Sequence, residues 1–565
     1  MTKAYTRQSK NLNPRYTPQS APIPGTTQVK NAAGGYVFSV SKWDALRRFL
    51  ILGSEGGTYY VGEQKFTKDN ASNVLACIKE DGRRVVDAVV DVSVRGLAPK
   101  RDSALFVLAL TVGFGDESIR KYALDKLQRV ARTGTDLFHF ADYVNNFRGW
   151  GPGLRKAISR WYTSRSTESL AFQLVKYQSR DGWSNRDLFR LSHTKTDDET
   201  KNLAIRWSVR GVEDNLDSYN ISPLGTIYGY EMVKRTTDEA EIISLINRYQ
   251  LPLEMVPTEK RTPKVWSAVL PNLGVTALIR NLGNLSKVGV LTAISDETKL
   301  AAKILTDPEI LSKGRVHPFS ILNALNTFKS GRGFRGSGQW NVITRIVDAL
   351  DEAFYLSFKT IRPTNKRILF GLDVSSSMRG NMIVKSNIDA RVGSAAMAMA
   401  TARVEYDYEF IGFTADNSTW KSPNNSKRDR SSWGWVDRLG VMPLDISPRR
   451  RLDDVVRYID GVPFGATDCA LPMLYAMDTN KKFDAFVIYT DNESWAGDIH
   501  ASQALKMYRE RTGIPAKLVV VAMAATEYSI ADPNDSGMMD VVGFDASAPN
   551  IISDFIRGDS DSFTE

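Results

Sequence analysis

The feature that most constrains the fold is a change of hydrophobic period near Pro363. Upstream, from Lys42 to about Phe358, apolar residues recur at three- and four-residue steps, as in Trp43-Ala45-Leu46-Phe49-Leu50, Leu105-Val107-Leu108-Leu110, Ile242-Leu245-Ile246-Tyr249 and Ile343-Ile346-Val347-Leu350. Downstream, apolar runs of strand length alternate with helical stretches: strands are expected at 367–373, 408–413, 484–490 and 517–523, and helices at 389–404, 452–459, 469–477 and 501–511. A helical body, interrupted at Gly and Pro clusters such as 53–57, 149–152 and 331–338, thus leads into a doubly wound, mainly parallel α/β domain. The body reads as a stack of helical hairpins or a solenoid, although it shows no repeat of fixed period.

Charge divides at the same place. Residues 1–360 carry +15 and residues 361–565 carry −5, within a net charge of +10. A basic body attracts a polyanion, because contacts to phosphate supply most non-specific affinity for RNA or DNA. No apolar run approaches the ~20 residues that span a bilayer, and the first residues lack a signal-peptide pattern, so a cytoplasmic protein without membrane association is expected. The two cysteines, Cys77 and Cys469, offer neither a disulfide framework nor zinc spacing and read as small buried apolar residues. Residues 1–32 read as an extended or disordered arm, 420–435 as a solvated basic insertion, and 557–565 as an acidic tail.

Directly after the apolar run 368–372 comes Asp373-Val374-Ser375-Ser376-Ser377. In extended geometry Asp373, Ser375 and Ser377 share a side and offer three hard oxygen ligands, the donor type that suits Mg2+ or Mn2+. A solvated Ser-rich turn is the alternative for this motif alone. Gly465-Ala466-Thr467-Asp468 and the strand-like run ending at Asp491 add two further loops, and an open α/β sheet brings such loops together at its carboxyl edge. Taken together, the three motifs resemble the metal-ion-dependent adhesion site of von Willebrand factor A domains. That resemblance maps Asp373, Ser375, Ser377, Thr467 and Asp491 to metal-site positions. A hydrolase is less well supported: an aspartyl phosphatase would carry a second acid where Ser375 stands, and only His500 lies near these loops in sequence.

Two stretches of the body carry a patterned positive charge. Lys176 and Arg180 lie four apart on an expected helix, and like charges at that spacing favour a bound anion. After Gly182-Trp183, Ser184-Asn185-Arg186-Asp187 fits a capping box opening a second helix on which Arg186, Arg190 and His193 follow at helical spacing. Such rows could hold phosphates of an RNA groove while His193 stacks or hydrogen-bonds; read alone, they fit an ordinary solvated face better, since basic rows are common on helices.

Longer strings resemble one family. Arg48-Phe49-Leu50, Gly53 to Tyr60, Arg148-Gly149-Trp150-Gly151, Arg190-Leu191-Ser192-His193, Arg280-Asn281-Leu282-Gly283, His317-Pro318-Phe319, Gly465 to Met473, Thr490-Asp491-Asn492-Glu493 and Ile530-Ala531-Asp532-Pro533 are similar to the Ro ribonucleoproteins, which carry the TROVE domain and whose bacterial branch is known as Rsr. The resemblance spans about 33–555. It implies a ring of HEAT-like helical repeats over 33–360 and a von Willebrand factor A-like domain with a metal-ion-dependent adhesion site over 361–556. It also implies a monomeric scaffold and not an enzyme. Y or Y-like small RNA would bind an outer basic surface, to which Lys176, Arg180 and His193 correspond, extended here to Arg186 and Arg190. Single-stranded 3′ ends of misfolded or precursor noncoding RNA, ribosomal RNA among them, would enter the ring, with an exoribonuclease as a partner in decay. The other reading is a metal-dependent adhesion module that docks a partner's acidic residue. Ala466 departs from the Gly common at that place in the family.

Overall fold

The computed structural model describes residues 16–53, 71–213, 215–333, 338–358, 361–379, 388–414, 440–462, 465–524 and 526–558. The insertion 420–435, the acidic tail and most of the Gly53 to Tyr60 string lie outside the described residues. The chain forms two compact units. One gathers Met1–Asn70, Leu97–Pro99 and Phe358–Glu565, and the other Ala71–Gly96 with Lys100–Ser357.

The first unit begins with an antiparallel pair, β1 (Gln28–Lys30) and β2 (Tyr36–Ser39), followed by the helix Lys42–Leu52, capped by Ser41 accepting from the Asp44 amide. Composition alone suggests an extended arm through residue 32. From residue 16 onward the structure instead packs this segment against the α/β part, because Gln19 and Asn31 hydrogen-bond there and are almost fully buried.

The described residues of the second unit are mainly helical, with a short hairpin, β3 (Ser179–Arg180) with β4 (Trp183–Ser184), and an isolated bridge between Arg332 and Gln339. Many of its helices start where a side chain satisfies the first free amides: Asp116, Ser166, Asp198, Thr262 and Ser295 each accept from a first-turn N–H, and Thr133 and Ser184 complete reciprocal capping boxes with Asp136 and Asp187. The helices bury apolar residues against their neighbours, Asp102–Phe114 on nearly every side, and Ser72–Arg95, at the start of the unit, meets residue 315 near its end. There Arg315 Nη1 donates to the Ser93 carbonyl at 3.4 Å.

The α/β part of the first unit is built on a six-stranded sheet of β5 (Arg367–Asp373), β6 (Asp407–Phe413), β7 (Val441–Pro443), β8 (Ala485–Thr490), β9 (Lys517–Ala522) and β11 (Met538–Val542), ordered β11-β9-β8-β5-β6-β7; β10 (Tyr528–Ser529) pairs with β2 instead. All neighbours in the sheet are parallel except β6 with the edge strand β7. Its central strands are buried along nearly their whole length, as parallel strands covered on both faces must be. One face packs Leu369, Phe486, Ile488 and Val520 against Met473, Leu505 and Tyr508. Strand order reverses at β5, between β6 and β8, and the crevice beyond the carboxyl ends of such strands is where open α/β sheets bind ligands.

The boundaries expected from sequence agree with the structure to within about two residues for every one of these strands and helices that was read. Both cysteines are free and buried, and no helix among the described residues is long and apolar enough to cross a membrane.

Candidate functional sites

Three loops converge at the carboxyl ends of β5 and β8. Asp373 closes β5, and its Oδ1 accepts from the Ser375 amide at 2.9 Å, which bends the chain so that Ser375 Oγ comes within 3.1 Å of Ser377 Oγ. Thr490, ending β8, donates to Asp373 Oδ2 at 2.6 Å, and Asp491 follows it. The loop bearing Thr467 is fastened on both sides: Ser376 N donates to the Gly465 carbonyl at 3.0 Å, and Trp495 N and Ala496 N donate to the Thr467 carbonyl at 3.2 and 3.1 Å. Asp373, Ser375, Ser377, Thr467 and Asp491 are all buried. The structure thus gathers every expected metal-site residue at one sheet edge.

Both carboxylates of this edge are shifted by their burial. Burial, together with the nearby Asp373 charge, pushes the Asp491 carboxyl up to about 7, while a hydrogen bond from Ser377 opposes the rise. Asp373 is likewise raised by burial, against hydrogen bonds from Ser375 and Thr490. Asp491 Oδ2 is buried with no hydrogen-bond partner, a costly arrangement unless another ligand meets it. The donor set of two carboxylates and three hydroxyls fits a small hard divalent cation. No group of three or more His, Cys, Asp or Glu is assembled for a metal among the described residues, so the hydroxyls are essential to such a site. His500 bonds to the N-terminal segment: its Nε2 donates to the Ala21 carbonyl at 2.8 Å and its Nδ1 accepts from Gln28 Nε2 at 3.3 Å.

The basic residues of the helical unit depart from the expected pattern. The helix carrying Lys176 spans Thr167–Lys176 and ends there, so Lys176 and Arg180 do not share a helix face. Asp181 and Gly182 both take left-handed backbone (φ 52° and 81°), turning the chain into the β3–β4 hairpin. Arg180 lies opposite Trp183 in that hairpin, one step from the Ser184 cap of the helix Asn185–Ser192. His193 is the left-handed C-cap of that helix and no longer part of its face. Arg180, Arg186, Arg190 and His193 are exposed. Lys176 is the exception: its Nζ lies 3.7 Å from Glu254 and over the rings of Phe172 and Tyr177.

Buried polar bonds hold this surface in place. Tyr162 donates to Asn185 Oδ1 at 2.8 Å and packs its ring 4.3 Å from Phe189, while Asn185 Nδ2 donates to the Tyr177 carbonyl at 2.7 Å. On the hairpin, Trp183 Nε1 donates to Asp142 at 3.1 Å, and His139 Nε2 meets Asp181 Oδ2 at 2.7 Å.

A second basic cluster escapes the sequence reading. Arg132 is pushed down to about 10, first by burial and then by Arg101 and Arg315 beside it. Asp136 is shared there, accepting from Arg101 Nε at 3.1 Å and from the Arg132 amide at 2.9 Å. These arginines lie outside any helical row, because Arg101 and Arg132 precede helices and Arg315 follows one; no sequence periodicity could have joined them.

A family model described as the TROVE domain matches residues 29–251 and 252–331, and one described as the Ro60 vWA domain matches 367–556. A protein of Deinococcus radiodurans named RNA-binding protein RO60 is 40% identical over 553 residues, covering 97% of this chain and 98% of its own. A Caenorhabditis elegans protein of the same name is 33% identical, covering 94% of this chain and 90% of its own. The crystal structure of the Deinococcus radiodurans RO (RSR) protein covers 92% of this chain and all of its own, at 39% identity and a TM-score of 0.67. The chain belongs to the TROVE-domain family of Ro60 proteins.

Proposed function

We propose that this protein is an RNA-binding scaffold. In this reading Arg180, Arg186, Arg190 and His193 form a platform for a structured small RNA of the Y type, with Lys176 at its edge. The observation that carries it is the placement of these exposed cations on a hairpin and helix locked by a capping box and buried hydrogen bonds, since a pre-ordered basic surface binds phosphate without first paying to order itself. The names of the relatives, both RNA-binding proteins, support it. Single-stranded ends of misfolded or precursor noncoding RNA are a second substrate, for which the Arg101, Arg132 and Arg315 cluster offers an excess of guanidinium over carboxylate. The role is noncoding RNA quality control, processing or decay in the cytoplasm, with an exoribonuclease performing any cleavage and this monomeric chain acting as no enzyme.

The test is a gel-shift titration with a structured RNA bearing a free 3′ tail. Arg180→Glu with Arg186→Glu should weaken binding at least tenfold and flatten the dependence of log affinity on log salt by about one unit per lost phosphate contact. Unchanged affinity and salt slope would remove the platform.

A second reading concerns the α/β unit and is favoured by the partnerless Asp491 Oδ2. Asp373, Ser375, Ser377, Thr467 and Asp491 would hold Mg2+ or Mn2+, whose remaining coordination accepts a carboxylate oxygen from a protein partner. Loss of partner capture on Asp373→Ala, with RNA binding retained, is its expected signature.

A further inference from the structure

We propose that the N-terminal segment 16–36 is a positioning element for the metal site, with Gln19 and Asn31 as its principal residues; this rests on the reading that the Asp373 edge binds a divalent cation. The loops bearing Thr467 and Asp491 are bonded, away from their ligand positions, to this segment of chain. Gln19 is 2% exposed. Its Nε2 donates to Asp468 Oδ1 at 2.7 Å and to the Ile499 carbonyl at 2.8 Å, while its Oε1 accepts from Ser494 Oγ. Ser494 Oγ in turn accepts from the Cys469 amide at 3.1 Å, and Asp468 Oδ1 from the Ala470 amide at 3.0 Å. One buried side-chain amide therefore spans both loops, next to Thr467 on one and three residues beyond Asp491 on the other.

Asn31 supplies a second anchor. Its Nδ2 donates to the Ser494 carbonyl at 2.9 Å, and its Oδ1 accepts from the Gly35 amide at 2.8 Å. Between them, Ala33 N donates to Glu493 Oε2 at 3.0 Å, and the Glu493 amide donates to Asp491 Oδ1 at 3.0 Å. The segment thus reaches the expected ligand through a single intervening residue. The approach is too close for side chains at two points: a Cβ on Gly35 would lie 2.0 Å from the Ser494 carbonyl oxygen, and one on Gly497 2.4 Å from both Asp468 Oδ1 and Gln19 Nε2.

A site that draws two carboxylates together binds a cation more tightly when its loops are already held in place, because the ordering cost is not incurred at binding. Linkage makes the effect reciprocal: if the segment raises metal affinity, metal must stabilise the segment by the same free energy. Removing partners that orient metal ligands typically lowers affinity about 10- to 100-fold.

The experiment titrates Mn2+ into the full chain by calorimetry, comparing the unmodified protein with Gln19→Ala, Asn31→Ala and Asp373→Ala. Amide hydrogen exchange of the unmodified protein is followed with and without Mn2+. Expected are binding to the unmodified chain, its loss in Asp373→Ala, a drop of at least about tenfold in Gln19→Ala and a smaller one in Asn31→Ala. Exchange at the Gln19, Ala33 and Tyr36 amides should slow when Mn2+ is present. The exchange arm decides the matter even where a variant fails to fold. If Asp373→Ala abolishes binding while Gln19→Ala and Asn31→Ala bind normally, or while those amides exchange at unchanged rates, the positioning role falls and the metal site stands. If the unmodified chain takes up no Mn2+, or Asp373→Ala binds it equally well, the metal site falls and the positioning role with it.

Discussion

His139 shows how one side chain ties the basic hairpin to the helix beneath it. Its ring lies between Asp102, 3.3 Å from Nδ1, and Asp181, 2.7 Å from Nε2, an arrangement in which both ring nitrogens donate and the imidazolium is favoured. The hydrogen bond to Asp102 raises its pKa, burial opposes the rise, and the Asp181 charge adds to it. Because the folded state holds this proton more tightly than the unfolded chain, the contribution is complete below about pH 6.5 and is lost as pH climbs through the raised folded value. Both carboxylates are well exposed, so about 1 kcal/mol is at stake. Thermal unfolding from pH 5.5 to 8.5 should show the stability gap between the protein and His139→Gln shrinking as pH rises, and a constant gap would remove the latch.

Among the elements, the helix Asn185–Ser192 depends on its cap. Ser184 accepts from the Asp187 amide while Asp187 Oδ2 accepts from the Ser184 amide at 2.9 Å, satisfying two first-turn donors at once. Ser184→Ala should cost about 1 kcal/mol by denaturant unfolding and weaken RNA binding, whereas Ser184→Asn should restore both. This element also marks the limits of the sequence. The capping box was legible because it is a local pattern of residue types. The hairpin before it is obscured, although Asp181-Gly182 is the two-residue signature of a type I′ turn, because the like-charged pair Lys176 and Arg180, four apart, gives a competing helical period. In the α/β unit, β5, β8 and β9 were legible since strands buried on both faces appear as unbroken apolar runs. β7 is a three-residue edge strand ending in proline, and β11 carries Asp540 at its centre, so neither shows such a run. The residues expected at a metal site stand out because their spacing is local to each loop. Gln19 does not, since 475 residues separate it from Ser494 and its value lies wholly in that contact.

Across the whole molecule, the larger surprise is that the first unit is discontinuous in sequence. Asp540 interrupts β11 because Arg48, 1% exposed, reaches it from the helix Lys42–Leu52, with Nη2 2.5 Å from Oδ2 and Nη1 donating to the Tyr528 carbonyl at 2.8 Å. Burial raises the Asp540 carboxyl, and the Arg48 charge offsets part of that rise. Arg48→Ala would leave a buried carboxylate uncompensated, a loss of about 3–5 kcal/mol. Arg48→Ala with Asp540→Ala should lose less than Arg48→Ala alone, and a double-mutant cycle by denaturant unfolding measures the coupling. By the same reasoning, residues 361–558 alone lack Arg48 and the β1–β2 pair, and an α/β fragment begun at the change of period should be less stable than one that also carries residues 16–53.

That discontinuity sets a timetable for synthesis. β2 is made before the helical unit, yet the β10 residues that pair with it are made after that unit. At about 5–20 residues per second, the 475 residues between Gln19 and Ser494 take roughly half a minute to a minute and a half to appear. Throughout that interval the N-terminal segment must stay unpaired while the helical unit, which lies between its partners in sequence, is completed first. The bonds that fasten residues 19–33 to the Asp491 loop can then form only after the whole helical unit has been made.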